Sequence, residues 1–189
     1  MPFYKPRGLP HWDPEDASLF VTWRLYGSLP APEPEWEVLP PGKQFVQMDQ
    51  ALERNPKGPQ WLANPAVAQC VAAALHYGET ELHLCQLHAW VIMSNHVHIL
   101  ISPRALLARI MHSIKTFSAR EANQVLGRTG QPFWQQESYD RWVRNAQEFD
   151  KIVRYIEENP VKAGLVENPQ DWPWSSVPKV GREADGTRL

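Results

Sequence analysis

The chain has 189 residues, of which 43% are hydrophobic and 21% charged, and this composition is typical of one globular domain rather than a disordered segment. The formal net charge of −2 argues against a uniformly basic nucleic-acid-binding protein. There are two cysteines, no apolar leader at the amino terminus and no apolar run long enough to span a bilayer. We therefore expect a cytoplasmic protein without disulfides.

The first third of the chain is rich in proline and predicts little regular structure. Residues 1–18 are expected to form an extended N-terminal arm, followed by a strand over 19–25 with alternating apolar positions. A loop over 27–43 and a short helix over 44–54 come next. Most of the loop and the whole helix fall in a Pro-rich insert at about residues 31–65, for which the sequence suggests no role.

A helix and a β-hairpin are predicted in the middle of the chain. The helix spans 65–77, because Asn64 is a good N-cap and a proline occupies the first helical position. Two β-prone runs follow, over 82–93 and 96–102, separated only by Ser94-Asn95. So short a connection predicts a tight hairpin.

The last third predicts two amphipathic helices around short strands. Apolar spacing predicts helices over 104–126 and 146–159, with short strands near 133–134 and 139–144 between them. Residues 178–189 are expected to form a flexible tail.

This order of elements predicts an α+β fold, in which an antiparallel β-sheet has helices packed mainly on one face. We expect residues 19–177 to form a single domain that carries the insert. The sequence shows no internal repeat or low-complexity tract.

The first chemical feature is the pair His96 and His98, separated by Val97. Alternate residues of a strand share a face, so both imidazoles point the same way while Val97 points to the other face. Such a pair can converge on one metal ion. With seven histidines in the chain, two ordinary histidines on a sheet face are an equally good interpretation.

The second feature is the end of the last predicted helix, where Tyr155 and Asn159 are one turn apart on the same face. A tyrosine there could act as a nucleophile, and an asparagine could add an oxygen ligand. The alternative is structural: Tyr155 packs, and Asn159 with Pro160 caps a further short helix. Because proline cannot bond back to Ile156, we expect a kink or break after Asn159.

Four short segments, spread over residues 18–177, form an ordered set of motifs. They are residues 20–30 (FVTWRLYGSLP), 88–100 (HAWVIMSNHVHIL), 154–166 (RYIEENPVKAGLV) and 171–176 (DWPWSS). Together they resemble the REP-associated tyrosine transposases, a family within the HUH-type single-strand DNA transposases. Each motif is modest alone, but four in the same order are highly specific.

The resemblance implies a ferredoxin-like, HUH-type core and assigns roles to matching positions. His96 and His98 would be metal ligands, Tyr155 the nucleophile, and Asn159 the third protein ligand, where related transposases often carry glutamine. The insert at 31–65 is the main departure from the family pattern.

The implied enzyme nicks and rejoins single-stranded or hairpin DNA similar to repetitive extragenic palindromes. Tyr155 would attack phosphorus to give a 5′-phosphotyrosine adduct and a free 3′-OH, while a divalent cation stabilises the developing charge. The ligand types suit Mg²⁺ or Mn²⁺, with Zn²⁺ also compatible. The residues do not identify the base that takes the tyrosine proton. We expect a nucleoid-associated monomer or homodimer.

Basic charge is concentrated around the expected site. Residues 104–162 contain ten Lys/Arg and seven Asp/Glu, whereas 61–103 contain no Lys or Arg. The predicted phosphate contacts are Lys115, Arg120, Arg141, Arg144, Lys151, Arg154 and Lys162. The tryptophans that could stack unpaired bases are Trp12, Trp23, Trp134 and Trp142. For each residue an ordinary solvated or core position is the alternative.

Three other functions stay open at this point. The chain could be a non-catalytic regulator that binds hairpin DNA and derives from a transposase. A histidine-triad nucleotide hydrolase would need a further alternating histidine, but Leu100 occupies that position. A closed structural zinc site could recruit His83, Cys85 and His88.

Overall fold

The computed structural model describes residues 17–29, 41–54 and 58–178, and within them the chain forms four strands and four α-helices. In chain order these are β1 (Leu19–Leu25), α1 (Pro41–Arg54), α2 (Pro65–Thr80), β2 (Cys85–Ile92), β3 (His96–Pro103), α3 (Leu107–Val125), β4 (Trp134–Trp142) and α4 (Ala146–Lys162). Single 3₁₀ turns lie at Trp61–Ala63 and Pro169–Asp171. Most of the expected arm and tail lie outside the described residues.

The four strands form one antiparallel sheet in the order β2-β3-β1-β4, which confirms the predicted α+β fold. The predicted hairpin joins β2 to β3, and its turn is closed by a hydrogen bond from the Met93 amide to the His96 carbonyl at 2.9 Å. Since β3 and β1 are the central strands, His98 lies opposite Thr22 and His96 opposite Arg24. The two histidines therefore occupy the middle of the sheet.

Helices cover both faces of the sheet, whereas the sequence predicted them mainly on one. Helices α2 and α3 pack on the face that carries Val21, Trp23 and Val97. Helix α4 and residues of α1 pack on the opposite face, against Phe20 and Leu100. The central strands are apolar on both faces, so both faces must be covered to remove those side chains from water.

Capping residues define where two of these helices begin. The predicted N-cap Asn64 accepts a hydrogen bond from the Ala66 amide at 3.0 Å at the start of α2. At the start of α4, the Asn145 side chain accepts from the Glu148 amide at 2.9 Å, while the Glu148 carboxylate accepts from the Arg144 amide at 2.8 Å. These bonds satisfy amides that the first helical turn leaves unpaired.

Three predicted boundaries are wrong. Helix α1 begins at Pro41, inside the predicted loop. The two short strands predicted near 133–144 form one edge strand, β4, because pairing with β1 continues along it. Helix α4 continues through Pro160 to Lys162 instead of breaking after Asn159. Proline removes one amide donor from the helix, but the helical hydrogen bonding resumes after it, where the Ala163 amide donates to the Asn159 carbonyl at 3.0 Å.

The segment after α4 covers the open edge of β2. The amide of Ile92 donates to the Trp174 carbonyl at 2.8 Å, and the Trp172 indole donates to the Ile92 carbonyl at 3.0 Å. The Ser176 amide donates to the Trp90 carbonyl at 2.9 Å. The DWPWSS motif thus protects an edge that would otherwise expose unpaired backbone groups.

None of the helices in the described part of the chain has the length and apolar character that crossing a membrane requires. Cys70 and Cys85 are both free thiols, as expected.

Candidate metal and tyrosine site

The histidine pair is buried in the centre of the sheet. His96 and His98 are 1% and 0% exposed, and their ring centroids lie 4.7 Å apart. Val97 belongs to the core on the opposite face, as strand alternation predicts. Both imidazoles therefore face the side of the sheet that α1 and α4 cover.

One nitrogen of each imidazole is held by a polar neighbour. His96 Nδ1 lies 2.7 Å from Asn95 Oδ1, and His98 Nδ1 lies 2.7 Å from Thr22 Oγ1. With both Nδ1 atoms engaged on the protein, the Nε2 atoms are the ones directed into the site. Outer contacts of this kind commonly orient histidines that bind metals.

A carboxylate from α1 completes the group, and no sequence motif predicted its involvement. Asp49 is 5% exposed, and its Oδ1 lies 3.2 Å from His98 Nε2 and 3.5 Å from His96 Nε2. The three ligand atoms lie within 4.8 Å of one another, so these residues could together hold a metal ion. A signal was present, because Asp49 lies on the same helical stripe as Phe45 and Leu52, where an acidic residue is out of place.

Tyr155 reaches the same carboxylate from α4. Its hydroxyl donates a hydrogen bond to Asp49 Oδ2. The ring is half-buried among aromatic neighbours, with centroids 5.5 Å from His98, 6.0 Å from Phe20 and 6.0 Å from Phe45. Asp49 therefore bridges the histidine pair and the tyrosine through its two oxygens.

Asn159 lies one turn after Tyr155 on α4 and is fully buried. Neither its amide oxygen nor its amide nitrogen makes a well-formed hydrogen bond, although the amide interacts with the Tyr155 hydroxyl and opposes the rise of its pKa. A buried amide with both polar atoms unpaired is costly, by roughly 1–3 kcal/mol for each lost partner. The ligand role expected for Asn159 from the sequence stays a prediction, and its buried amide without well-formed hydrogen bonds is compatible with that role.

Several ligand atoms of this site are buried and unpaired at once. Asp49 Oδ1, His96 Nε2 and His98 Nε2 make no well-formed hydrogen bond, although the ion-pair distances above are short. Imidazole nitrogens and carboxylate or amide oxygens are donors for divalent cations. A cation among them would satisfy atoms that the protein leaves without partners, so the residues present fit a divalent metal.

The protonation states also suit a metal site. Burial lowers the pKa of His96 to about 3, helped by His98 and opposed by Asp49, so the ring is neutral near neutral pH. Burial alone would raise the pKa of Asp49, but the two histidines and the Tyr155 hydroxyl outweigh it and bring the pKa to about 2. Neutral imidazole and ionised carboxylate are the forms that bind metals.

Tyr155 is protonated in this arrangement. Burial raises its pKa above the ordinary value, and the charge and hydrogen bond of Asp49 raise it further, while Asn159 acts in the opposite direction. An ionised phenol next to an ionised carboxylate would place two negative charges in contact.

The seven predicted phosphate contacts divide between the two sides of the sheet. Lys115 and Arg120 lie on α3, on the face opposite the histidines. Lys115 Nζ donates to the carbonyls of Gln135 and Gln136, at 3.0 Å each, so its ammonium group is already hydrogen-bonded within the protein.

The other five lie on β4, on α4 or between them. Arg141 pairs with Glu148 at 3.0 Å. Lys162 pairs with Glu158 at 2.9 Å, and its Nζ lies 5.4 Å from the Tyr155 ring centroid. The exposed members are Arg144, Lys151, Arg154 and Lys162. The structure therefore brings Lys151, Arg154 and Lys162 onto the helix that carries Tyr155.

The predicted base-stacking tryptophans are mainly core residues. Trp23 and Trp134 are buried, and their rings pack edge-to-face with centroids 6.0 Å apart. Trp142 is 41% exposed at the end of β4 and stays available for stacking. Trp12 lies outside the described residues.

The alternative zinc group does not assemble in the described residues, where the cluster of Asp49, His96 and His98 is the metal-ligating group found. His83 is exposed, and His88 Nε2 bonds to Ser102 Oγ at 2.8 Å. Cys85 is buried, and burial raises the pKa of its thiol to about 11, which disfavours the thiolate that zinc binds.

Comparison with known proteins places these residues in a family. The profile of the family described as "Transposase IS200 like" matches residues 65–159, which is half of the chain. The chain belongs to the IS200-like transposase family. The match includes His96, His98, Tyr155 and Asn159 but not Asp49, which lies before its start.

Two relatives support the resemblance to the REP-associated tyrosine transposases. The REP-associated tyrosine transposase of Escherichia coli K12 is 28% identical over 95 residues, covering 48% of this chain and 53% of the relative. The match thus spans about half the length of that protein. A solved REP-associated tyrosine transposase, bound to a REP hairpin, superposes with a TM-score of 0.53 at 19% identity, covering 84% of this chain and 75% of the other. This likeness confirms the transposase fold.

Proposed function

We propose that this protein is a metal-dependent tyrosine transposase that nicks and rejoins single-stranded or hairpin DNA through a 5′-phosphotyrosine intermediate. The observation that carries the proposal is the convergence of Tyr155, Asp49 and the two histidines in one buried site. Membership of the transposase family supports the reaction class. The arrangement joins a nucleophile, a proton acceptor and a set of unpaired cation ligands.

Tyr155 is the nucleophile in this proposal, and Asp49 takes its proton. A bond forms between the phenolic oxygen and phosphorus, and the bond from phosphorus to the 3′ oxygen breaks. The phenolic proton passes to Asp49 Oδ2, which already accepts the hydrogen bond. The leaving 3′ oxygen takes a proton from solvent and departs as a hydroxyl. Attack by a DNA 3′-OH on the adduct reverses these steps and joins strands.

His96, His98 and Asp49 would hold the divalent cation, with Asn159 as the further oxygen ligand. When bound, Mg²⁺ or Mn²⁺ would stabilise negative charge on the scissile phosphate. The chain's own residues keep the His96 imidazole neutral and exclude water from the ligands, since all four side chains are buried.

Hairpin or single-stranded DNA is the proposed partner. The cations on α4 support this, because Lys151, Arg154 and Lys162 surround the helix turn that carries Tyr155 and could contact phosphates on either side of the scissile bond. The relative solved with a REP hairpin suggests the form of DNA to test first.

A labelled hairpin oligonucleotide with a single-stranded flank tests the proposal. In Mg²⁺ or Mn²⁺ we expect the wild type to form a covalent protein–DNA adduct that survives denaturing electrophoresis. The adduct should be absent in Tyr155→Phe and retained in Tyr77→Phe, a matched control on the opposite face of the sheet with an exposed ring. His96→Ala should lose cleavage while keeping most of its DNA affinity.

Tight hairpin binding by the wild type without any adduct, across both metals, would refute the transposase chemistry. In that case the protein is a non-catalytic hairpin-DNA-binding regulator derived from a transposase. Equal loss of cleavage and DNA affinity in His96→Ala would instead assign the histidines a structural role.

A further inference from the structure

A buried asparagine connects the histidine pair to the helix that supplies Asp49. Asn95 lies in the turn between β2 and β3 and is 1% exposed. Its side chain makes two hydrogen bonds, one with His96 Nδ1 at 2.7 Å and one from its Nδ2 to the Leu52 carbonyl at 2.8 Å. Its backbone carbonyl accepts from the Leu25 amide at 2.9 Å, which ties the turn to β1.

These partners determine the orientation of the Asn95 amide. The Leu52 carbonyl can only accept a hydrogen bond, so the NH₂ group of Asn95 must face it. The amide oxygen then faces His96, and because this oxygen can only accept, His96 Nδ1 must carry the hydrogen. In a neutral imidazole with a hydrogen on Nδ1, Nε2 carries a lone pair.

That lone pair faces another acceptor. His96 Nε2 lies 3.5 Å from Asp49 Oδ1 and makes no well-formed hydrogen bond, while the neighbour of Oδ1 on its other side is His98 Nε2 at 3.2 Å. Two acceptors held face to face in a buried site repel each other unless a cation lies between them. Asn95 thus enforces the tautomer of His96 that can ligate a cation and cannot donate to Asp49.

The second bond of Asn95 positions the carboxylate itself. Leu52 lies three residues after Asp49 on α1, so a bond to its carbonyl fixes the helix turn from which Asp49 projects. The Leu52 side chain is 2% exposed and anchors the same turn. The Asn95 side chain therefore fixes the position of His96 on β3 relative to Asp49 on α1.

We propose that Asn95 is a positioning residue for the metal site, which sets the ligating tautomer of His96 and fastens the α1 helix that contributes Asp49. This inference rests on the proposed function, because it assumes that the site binds a divalent cation. It adds a residue that acts through His96 and through α1 rather than as a ligand itself. Outer residues of this kind change metal affinity by about 10–100-fold when replaced.

Two substitutions separate the two bonds. Asn95→Ala removes both, whereas Asn95→Asp keeps an acceptor for His96 Nδ1 and loses the donor to Leu52. Asn123→Ala is the matched control, because Asn123 is also a buried asparagine, donates to the Gln131 carbonyl at 2.8 Å and lies away from the site. Each variant is compared with the wild type for Mn²⁺ affinity by calorimetry and for the His96 tautomer by ¹⁵N NMR of the metal-free protein.

We expect Asn95→Ala to bind Mn²⁺ about 10–100-fold more weakly and to lose the pure Nδ1–H tautomer of His96. Asn95→Asp should keep that tautomer, and Asn123→Ala should keep both the tautomer and the affinity. If Asn95→Ala retains the wild-type tautomer and affinity, the inference is wrong. If Asn95→Ala does not fold, loss of the tautomer in folded Asn95→Asp overturns the inference.

The outcomes distinguish this inference from the proposed function. A wild type that binds no Mn²⁺ and forms no DNA adduct refutes the proposed function. If the wild type binds Mn²⁺ and forms the adduct, and Asn95→Ala keeps the wild-type Mn²⁺ affinity and His96 tautomer, then only the positioning role is refuted.

Discussion

The hydroxyl of Tyr155 donates a hydrogen bond to the carboxylate of Asp49, which lies 106 residues earlier in the chain and on a different helix. The bond joins α4, inside the stretch that matches the transposase family, to α1, which precedes that stretch. A residue outside the family match thus sets the electrostatic environment of the proposed nucleophile.

Removing the charge of Asp49 should make Tyr155 easier to ionise. After burial, the carboxylate is the largest cause of the raised pKa of the phenol. We expect Asp49→Asn to lower the pKa of Tyr155 relative to the wild type. The measurement is phenolate absorbance against pH, with the titration of the Tyr155→Phe variant subtracted to isolate Tyr155. Asp171→Asn, an exposed carboxylate after α4, should leave the titration unchanged. An unchanged titration in Asp49→Asn would show that burial alone sets the pKa.

Loss of one imidazole should abolish stabilisation by metal. A ligand that binds only the folded state at 100 times its Kd stabilises by about 2.7 kcal/mol, so saturating Mn²⁺ should raise the melting temperature of the wild type. His96→Gln should lose this shift, whereas His112→Gln, an exposed histidine on α3, should keep it. An equal shift in both variants would place the binding elsewhere.

A buried hydrogen-bond chain lies on the face of the sheet that α2 and α3 cover, and breaking it should lower the stability of the fold. The Trp134 indole donates to Ser118 Oγ at 3.0 Å, and Ser118 Oγ donates to the Ile114 carbonyl at 2.6 Å. Ser118→Ala leaves the buried indole N–H without an acceptor, and we expect the free energy of unfolding to fall by about 1–3 kcal/mol in urea denaturation. Thr116→Ala, exposed on the same helix, should change it by less than about 0.5 kcal/mol.

Two glycines should respond to alanine in opposite directions. A Cβ at Gly58 would lie 2.8 Å from the backbone carbonyl oxygen of Ser28, so Gly58→Ala must displace backbone and should destabilise by about 1–3 kcal/mol. A Cβ at Gly78, within α2, would meet Ile114 at an ordinary 3.8 Å. Gly78→Ala should stabilise by about 0.5–1 kcal/mol through helix propensity. Thermal denaturation of both variants gives the signs, and equal signs would contradict this account.

Lys115 predicts a rise in stability at alkaline pH. Burial lowers its pKa to about 8 from 10.5, opposed by Glu137 and assisted by Arg24. Between those two pH values the unfolded chain binds more protons at this position than the folded chain, so stability rises with pH. Relative to Lys115→Met, the wild type should gain free energy of unfolding from about pH 8 to pH 10. A flat difference across this range would show that the folded lysine titrates normally.

Local patterns predicted much of this molecule. The features predicted correctly depend on residues that are adjacent or one turn apart in sequence. They are the strand 19–25, the cap at Asn64, the hairpin at Ser94-Asn95 and the shared face of His96 and His98. Side-chain alternation and capping chemistry operate over that range, so a single sequence contains the information. Motif order was likewise sufficient to identify the family.

Tertiary structure alone decided which distant groups meet. Asp49 is one acid among 21 Asp and Glu residues, and its importance arises only when α1 packs over β3 and brings its carboxylate to 3.2 Å from His98 Nε2. Packing likewise decided that helices cover both faces of the sheet. It also decided that Lys115 donates hydrogen bonds to carbonyls of β4. Packing juxtaposes residues that are far apart in the chain, and no local propensity encodes which partner a buried charge or an unpaired lone pair will find.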